Sequence, residues 1–485
     1  MLDRPACLLI RGALVLTLDS ERTVLESSDV LVEDGVISAV GRLDKSSIDH
    51  CDRIIEAEGQ LLVPGLINAH THSPANLIQG TGDRLSHPAF MWMNQAYTAH
   101  KTPREIYVSA MLGCIQMLLS GTTAVIDHFP GQAFGAEDVD AVLSAYRDSG
   151  MRAVLGLRFY DAGFDDIAPR DGTIPNDLEQ EMRRLNPLQP MPLQDVRSLM
   201  EDAVERWHGT EGRIGVFPAP SNPERCTDEA LVMCQDLAVR HDLGIHTHLL
   251  ETGVQAEIAQ RKYGCTMVEH LARLGLLTHR LSCAHTIWVD EPDIERLADS
   301  GAVVVHNPES NLKIGAGIAP IVDMAARGVT IALGTDGAGT NDNLIMHEAM
   351  RLAAVLHRPA NARRQRWFSA DDVLHMATHG GAAALCQGGQ IGSIEAGKRA
   401  DLVLYRLDAP WWIPVNDASS QLVFAENGSS VDTVIVDGRP LVEDGRITAF
   451  DAKAVCEEAK PMMGRILKRN DRLYNLAKRM ADLFP

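Results

Sequence analysis

Short runs of alternating apolar and polar residues open the chain, at Leu8–Ile10, Ala13–Leu18, Asp29–Val32, Val36–Val40 and Arg53–Glu56. Turn sequences such as Glu33-Asp34-Gly35 separate the runs, a pattern typical of a small antiparallel β module. The same texture returns near the other end of the chain, at Asp401–Tyr405 and Val431–Val436. Two β-rich pieces around a different middle predict one small β-sandwich assembled from both chain ends.

In the middle of the chain, short apolar runs alternate with stretches of helical length. Eight such runs predict strands, at Leu61–Ile67, Thr122–Ile126, Arg152–Leu157, Ile214–Phe217, Gly244–Thr247, Leu281–Ala284, Ala302–Val305 and Val329–Leu333. Eight βα units favour an α/β fold of the (β/α)8 TIM barrel type. A doubly wound open sheet also fits the alternation, but no glycine-rich phosphate loop follows the first strand.

These patterns divide the chain into three parts. We predict a composite β-sandwich from residues 1–62 and 391–450, a barrel from 63–390 and a helical extension from 451–485. Long connections after the first and third barrel strands, about 73–121 and 159–213, are expected to build the pocket or a lid. The extension has apolar residues at helical spacing, which predicts a packing helix, or two because of Pro461.

Composition narrows the function classes. The chain has 485 residues and a formal net charge of −20, so phosphate backbones and anionic lipids are repelled. We therefore expect no nucleic-acid partner and no membrane partner, but a small-molecule substrate. The nine cysteines form no CxxC pair, and no secretory or membrane-spanning apolar segment stands out. A cytoplasmic location is expected.

Ionisable residues cluster where the predicted barrel strands end. His70 and His72 are two residues apart on the first strand, so both imidazoles point to the same face. Three further strands contribute the remaining candidates, which are His248, Glu251, His285 and Asp336. Three imidazoles and a carboxylate suit Zn²⁺ or a similar ion with one position left for water, which such an ion ionises near neutral pH. Glu251 and His285 are then left to move protons.

Other histidines have weaker signals. His246 shares a face with His248 but lies one layer deeper, so we interpret it as structural. His128 and His306 stand at strand ends and could either contact substrate or belong to the core. Four more histidines resemble ordinary helix or loop residues, namely His87, His100, His208 and His347.

Several motifs together resemble those of the amidohydrolase superfamily, in its cytosine deaminase and triazine hydrolase branch. That branch includes S-adenosylhomocysteine deaminase and atrazine chlorohydrolase. The resemblance covers about residues 1–450 and implies a barrel with a β-sandwich. Its motifs are Val63-Pro64-Gly65-Leu66-Ile67-Asn68-Ala69-His70-Thr71-His72, His248–Glu251, Cys283–His285, His306–Lys313, Gly334–Asp342 and Gly397–Val403.

The resemblance also implies residue roles. His70, His72, His248 and Asp336 would ligate one divalent metal, most naturally Zn²⁺, with Fe²⁺, Mn²⁺ and Co²⁺ compatible. Glu251, His285 and Asp336 would be catalytic. Binuclear relatives carry a bridging lysine at the end of the fourth strand, and none stands in Ile214–Pro220, which favours a single ion. A homodimer or homotetramer is also implied.

The implied reaction is attack of metal-activated hydroxide on an sp² carbon, and the branch favours deamination of an amino-substituted purine, pyrimidine or triazine ring. Hydrolysis of an amide, urea or carbamate, displacement of chloride, and an inactive scaffold are the alternatives. No ligand is missing, which disfavours the scaffold. Pocket residues would set the substrate, and the candidates are Phe90, Trp92, Trp288, Asn311 and Thr340, the aromatic ones being equally compatible with core packing.

Overall fold

A computed structural model describes residues 4–43, 51–129, 134–162, 174–360 and 367–483 of the chain. Within them, seventeen strands are numbered β1 to β17 in chain order. They are Cys7–Leu16, Val24–Glu33, Val36–Gly41, Arg53–Glu56, Gln60–Pro64, Leu66–Thr71, Thr122–Phe129, Arg152–Phe159, Ile214–Pro220, Ile245–Leu249, Leu281–His285, Val303–His306, Thr330–Leu333, Leu402–Arg406, Val431–Val436, Arg439–Glu443 and Arg446–Ile447.

Helices occupy most of the connections. The α-helices are His87–Thr98, Pro103–Leu119, Ala136–Ser149, Asn176–Leu185, Leu193–Trp207, Asp228–His241, Gly253–Tyr263, Met267–Arg273, Glu291–Ser300, Pro308–Lys313, Ile321–Ala326, Met346–Val355, Ala370–His375, Gly381–Ala384, Ala418–Phe424, Ala452–Ala459, Met462–Arg469 and Asp471–Leu483. A π-helical turn spans Met376–Gly380, and short 3₁₀ turns lie at Ser73–Ala75, Thr210–Gly212, Pro223–Arg225 and Pro410–Trp412. None of these helices has the length and apolar character needed to cross a membrane, as far as the described residues extend.

One nine-stranded sheet joins the two ends of the chain. Its order is β17-β16-β15-β14-β5-β1-β2-β3, with β4 also pairing with β1. The predicted turns at Asp34-Gly35 and Asp437-Gly438 have positive φ at both residues, which is the left-handed conformation that tight two-residue hairpins require. The sequence prediction of a β module shared by both ends agrees with this sheet.

Two four-stranded parallel sheets form the centre of the molecule, in the orders β6-β7-β8-β9 and β10-β11-β12-β13. They contact each other along both edges, β9 against β10 and β13 against β6. Backbone hydrogen bonds join the sheets there, since His248 N donates to Ser221 O and Asp336 N donates to His70 O. Strands β7 to β13 match seven of the eight predicted runs, and most extend one to three residues beyond the predicted ends.

The first predicted barrel strand, Leu61–Ile67, is wrong as a single strand. The chain passes from β5 in the nine-stranded sheet to β6 in a parallel sheet, and Gly65 stands between them. A Cβ at Gly65 would lie 2.0 Å from the Thr123 side chain, so only glycine allows this close crossing. Gly65 N also donates to Asp401 O at 2.8 Å, which anchors the crossing to the returning C-terminal part.

The C-terminal extension forms three helices, rather than the one or two predicted. The first break falls at Pro461, as expected, and the second falls at Asn470. Asn470 is buried, and its side-chain amide donates to Ala96 O and Ala99 O at the end of helix His87–Thr98. This contact ends the second helix and ties the extension to the connection after β6. In the predicted connection 159–213, residues 163–173 lie outside the described part.

Candidate metal centre and active site

Four predicted ligands converge where β6, β10 and β13 end. His70 lies on β6, and His72 directly follows that strand. His248 lies on β10, and Asp336 follows β13. Asp336 Oδ1 is 3.5 Å from His70 Nε2 and 3.2 Å from His72 Nε2. His72 Nε2 is in turn 3.2 Å from His248 Nε2. The structure therefore brings together the four residues that the sequence grouped as ligands.

The far side of each imidazole is already bonded. His72 Nδ1 contacts the carbonyl of His128 at 2.8 Å, and His248 Nδ1 contacts the carbonyl of Ser221 at 2.7 Å. Because a carbonyl only accepts, these Nδ1 atoms carry the proton and leave the Nε2 lone pairs turned towards the cluster. His70 Nδ1 is likewise held by His246 Nε2 at 2.8 Å, and His246 Nδ1 by Ser282 Oγ. His246 therefore lies between His70 and Ser282, behind the cluster.

Burial favours the neutral imidazole at His70 and His248, the form that metal ligation requires. The His70 side chain is fully buried, and burial lowers the pKa of His70 to about 3. Burial also lowers the pKa of His248 well below its usual range, with the neighbouring His128 adding to the effect. His70 Nε2 has no hydrogen-bond partner among the described residues, although it is buried. A buried lone pair without a partner is costly, and a cation at this point would satisfy it.

Asp336 is the anionic member of the cluster. Burial opposes its ionisation, but the close approach of the His70 and His72 rings outweighs burial and holds the pKa of Asp336 well below its usual range. Its carboxylate also accepts from Ser310 Oγ at 2.5 Å and Thr340 Oγ1 at 3.2 Å. Asp336 adopts φ 60°, the left-handed region, so the local backbone is shaped to aim this side chain.

The two predicted proton-transfer residues lie beside the ligands. His285 ends β11 at φ 73°, and its Nδ1 is 2.8 Å from Asn311 Oδ1. His285 Nε2 therefore faces the cluster, and it is 3.9 Å from Glu251 Oε1. His70, His285 and Asp336 also form a group whose ligand atoms lie within 4.8 Å of one another. Asn311, a predicted substrate contact, thus orients His285.

A cavity opens over this cluster. Of the predicted residues, it is lined by His72, Phe90, His248, Glu251, His285, Asp336 and Thr340. One face of helix His87–Thr98 forms a wall, contributing His87, Phe90, Met91, Asn94, Gln95 and Thr98. Further polar side chains are Arg158, which lies near the end of β8, and Asn222 and Arg225, which lie in the connection after β9. Metal ligands, proton-transfer groups and a cavity with polar walls are the parts that a hydrolase needs.

Comparison with known proteins agrees with this geometry. A profile described as Amidohydrolase family matches residues 61–441. The chain belongs to the amidohydrolase family. It is 35% identical over 459 residues to the 5-methylthioadenosine/S-adenosylhomocysteine deaminase of Syntrophobacter fumaroxidans, covering 94% of this chain and 97% of that relative. This amidohydrolase is therefore a hydrolase of carbon–nitrogen bonds other than peptide bonds.

Two solved structures resemble the amidohydrolase over nearly its whole length. An adenosine deaminase from Xanthomonas campestris with bound zinc aligns with TM-score 0.80 and 30% identity, covering 95% of this chain and 98% of that one. An atrazine chlorohydrolase from Arthrobacter aurescens TC1 complexed with zinc aligns with TM-score 0.84 and 27% identity, covering 94% and 100%. Both support a divalent-metal site in this fold.

Of the seven predicted substrate contacts, only Phe90 and Thr340 are among the described residues that line the cavity. The other five lie outside that lining, namely Trp92, His128, Trp288, His306 and Asn311. Trp92 is buried in the core, because the helix turns Phe90 and Met91 towards the cavity and Trp92 away from it. His306 is buried on β12 beside His357. Trp288 is half-exposed at the rim, and its Nε1 donates to Ala316 O.

His128 also differs from its predicted role. It lies on β7, fully buried, and its ring is stacked 5.7 Å from that of His72. Its ligand atoms fall within the same 4.8 Å group as those of His70, His72 and His248. The amidohydrolase therefore places His128 in the histidine cluster, whereas the sequence suggested contact with substrate. Two histidines that are two residues apart on a strand must point to the same face, whereas a lone histidine after Asp127 does not show which face it is on.

The sequence missed His87, which it classed as an ordinary histidine. His87 starts the cavity-lining helix, and its Nε2 is 3.9 Å from Glu251 Oε2. Arg158, Asn222 and Arg225 were also not singled out. Arg158 lies on β8, two residues from Gly156, and alternation along that strand could have marked it as facing the strand-end cavity. Nothing in the local pattern of His87 fixed the rotation of its helix.

Proposed function

We propose that this amidohydrolase deaminates a 6-aminopurine nucleoside, adding water at the amino-bearing carbon and releasing ammonia. The observation that carries the proposal is the position of Glu251, which faces the cavity beside His285 and the four-ligand cluster. The similarity to a 5-methylthioadenosine/S-adenosylhomocysteine deaminase supports the purine class, as does that to the 5'-deoxyadenosine deaminase of Methanosarcina mazei, 32% identical over 96% of this chain and 99% of that relative.

His70, His72, His248 and Asp336 would hold one divalent ion, for which we propose zinc. The donor set fits, because it offers three imidazoles and one carboxylate whose pKa is held well below its usual range. When bound, such an ion supplies Lewis acidity and lowers the pKa of its water ligand to near 7. The absence of a lysine on β9 supports a single ion.

The remaining chemistry falls to side chains around the ring. Glu251 can deliver a proton to the ring nitrogen next to the reacting carbon, which makes that carbon more electrophilic. His285, fixed through Nδ1 by Asn311, can hold a proton of the attacking water at Nε2. Asp336 is kept ionised and can take up another proton as the carbon–oxygen bond forms. A proton returned to the amino nitrogen lets it leave as ammonia.

The second candidate is chloride displacement from a triazine ring. It is favoured by the solved atrazine chlorohydrolase, whose TM-score of 0.84 exceeds the 0.80 of the adenosine deaminase. Both reactions add water to a carbon of a nitrogen heterocycle and differ in the group expelled. Sequence identity to the deaminases, at 35% and 32%, is higher than the 27% to the chlorohydrolase and supports deamination.

Organisation of the whole enzyme is also proposed. The contacts of β9 with β10 and of β13 with β6 support a closed (β/α)8 barrel over 63–390. The nine-stranded sheet supports a β-sandwich from 1–62 and 391–450, with 451–485 as a helical extension. We propose a cytoplasmic homodimer or homotetramer without nucleic-acid or membrane partners. The charge of −20 supports the lack of nucleic-acid binding, and light scattering after gel filtration would give the assembly.

An ammonia-release assay tests the proposed function. Zinc-loaded enzyme is incubated with adenosine, 5'-deoxyadenosine, 5-methylthioadenosine, S-adenosylhomocysteine, cytosine, aminotriazines and atrazine, beside a His70→Ala control. Ammonia from an adenosine compound, absent with the control, is expected. Chloride release from atrazine without ammonia from any compound would favour the second candidate. Silence on the whole panel with zinc bound would contradict both and point to amides, ureas or carbamates.

A further inference from the structure

We propose that His87 is a specificity-determining residue, which contacts the polar edge of the substrate ring beside the nitrogen that Glu251 protonates. The inference rests on the proposed deamination and deepens it, because it assigns a second contact to the ring. It concerns a residue outside the metal ligands and the proton-transfer groups.

Glu251 lies between two imidazoles. Its Oε1 is 3.9 Å from His285 Nε2, and its Oε2 is 3.9 Å from His87 Nε2. Both separations are longer than a hydrogen bond. All three side chains line the cavity. The carboxylate and the His87 imidazole therefore lie side by side on the cavity wall.

The two imidazoles approach different oxygens of the Glu251 carboxylate. His285 approaches Oε1 and is grouped with His70 and Asp336, so the proposal places the reacting carbon on the Oε1 side. His87 approaches Oε2 from a separate helix, which assigns the Oε2 side to the next part of the ring. A ring whose nitrogen meets Glu251 thus turns its next positions towards His87. In a 6-aminopurine these are the substituent at carbon 2 and the nitrogen beyond it.

The helix that bears His87 is held firmly in this position. Its residues at 87, 90, 91, 94, 95 and 98 form one face, the i, i+3, i+4 pattern, and all of them line the cavity. Its other end is held by Asn470, whose side-chain amide donates to Ala96 O and Ala99 O. The His87 side chain is only 14% exposed. A histidine on a helix surface would be solvated, whereas this one is aimed inwards.

Histidine suits the contact chemically. An imidazole can donate or accept, so it can serve a ring nitrogen as well as an amino or oxo substituent. The contact exists in the bound ground state, and its loss should raise KM more than it lowers kcat. Rings that lack the polar atom should be bound no better by histidine than by an apolar residue of similar size.

The test compares His87→Leu and His87→Gln with the wild-type enzyme on adenosine, its 3-deaza analogue and 2-aminoadenosine. An exposed histidine gives the matched control, His241→Leu. For His87→Leu, we expect kcat/KM on adenosine or 2-aminoadenosine to fall about tenfold through KM, with a much smaller change for the analogue without the contacted atom. His87→Gln, which can still form a hydrogen bond, should recover part of the loss.

Three results bear on the proposal directly. Equal changes on all substrates, or none beyond those of His241→Leu, would overturn it. A loss confined to kcat would also overturn it, because His87 would then act through Glu251 and not on the ring. Wild-type enzyme that releases no ammonia from adenosine compounds would contradict the proposed function instead. Zinc content and the thermal unfolding midpoint, measured for each variant, separate these results from misfolding.

Discussion

Replacing Glu251 with glutamine removes a proton donor and little else. Glutamine has the same shape, and the Glu251 carboxylate oxygens lie beyond hydrogen-bond distance of His285 and His87, at 3.9 Å. The backbone N–H of residue 251, which donates to Gln255 Oε1, is unchanged. The substitution should therefore leave the fold and the four metal ligands in place. Any loss of rate then reports proton transfer.

The size of the loss follows from the role. A positioned general acid–base group contributes a factor of about 10² to 10⁴ in rate. This corresponds to roughly 3 to 5 kcal/mol in the activation barrier. We expect kcat of Glu251→Gln to fall by that factor while zinc content stays at the wild-type value. KM should change little, because Glu251 acts mainly in the transition state.

The assay is ammonia release at saturating substrate, with zinc measured on the same samples. Glu257→Gln is the matched control, since Glu257 is exposed on the helix Gly253–Tyr263 that follows Glu251. A fall in kcat of less than tenfold with zinc retained would refute the proton-transfer role. Loss of zinc from Glu251→Gln would refute the separation of Glu251 from the ligand set.

Three further predictions follow from other parts of the structure. Asp336→Asn should lose zinc and activity together, because the amide replaces the carboxylate that faces two imidazoles; retained zinc, by elemental analysis, would contradict this ligand role. Burial lowers the pKa of His306 to about 3 in the folded protein. As the pH falls below about 6.5, the unfolded chain therefore binds a proton at this residue before the folded protein does, and the free energy of unfolding should decline from about pH 6.5 towards pH 3. In urea titrations across that pH range, the free energy of unfolding of His306→Leu should fall less steeply with pH than that of the wild-type protein, by up to about 1.4 kcal/mol per pH unit. An unchanged slope of unfolding free energy against pH would contradict this prediction. Asn470→Ala should lower the thermal unfolding midpoint and raise KM at unchanged zinc content, because two buried carbonyls of the cavity helix lose their donor; a lower midpoint alone would mean that the extension does not position the cavity.

The convergence of the four candidate ligands could be predicted because its signals are local and repeated. His70 and His72 must share a face if they lie on a strand, and His248 and Asp336 end other runs of the same type. Parallel strands place their carboxyl ends together, so recognising the strands was sufficient to bring these groups together. The hairpins at Asp34-Gly35 and Asp437-Gly438 were equally local, because their sequences require positive φ.

The wrong predictions concern segments whose structure depends on contacts between residues far apart in sequence. The run Leu61–Ile67 is uniformly apolar, and only the approach of Thr123 reveals that Gly65 divides it between two sheets. Pro461 alone indicates a break in the helix, because proline is recognisable in the sequence. The break at Asn470 lies where its side-chain amide donates to carbonyls of residues almost four hundred positions earlier in the chain, and the local sequence does not show that contact. An apolar pattern shows that a segment is buried but not which partner buries it.

The cavity wall is a further part of the molecule that the local sequence pattern does not determine. Phe90 and Trp92 are both aromatic and close in sequence, yet a helix turns residues two apart to different faces, so only Phe90 meets the cavity. The rotation of the helix that turns Phe90 towards the cavity also brings His87 beside Glu251. Packing of the C-terminal extension on that helix fixes this rotation. The candidate residues for the chemistry thus follow from short local patterns at strand ends, while the lining of this cavity wall depends on the tertiary fold. A small rotation of the helix would exchange the side chains that meet the cavity and leave the strand ends unchanged, so the ring that is bound and the reaction that is performed can vary separately.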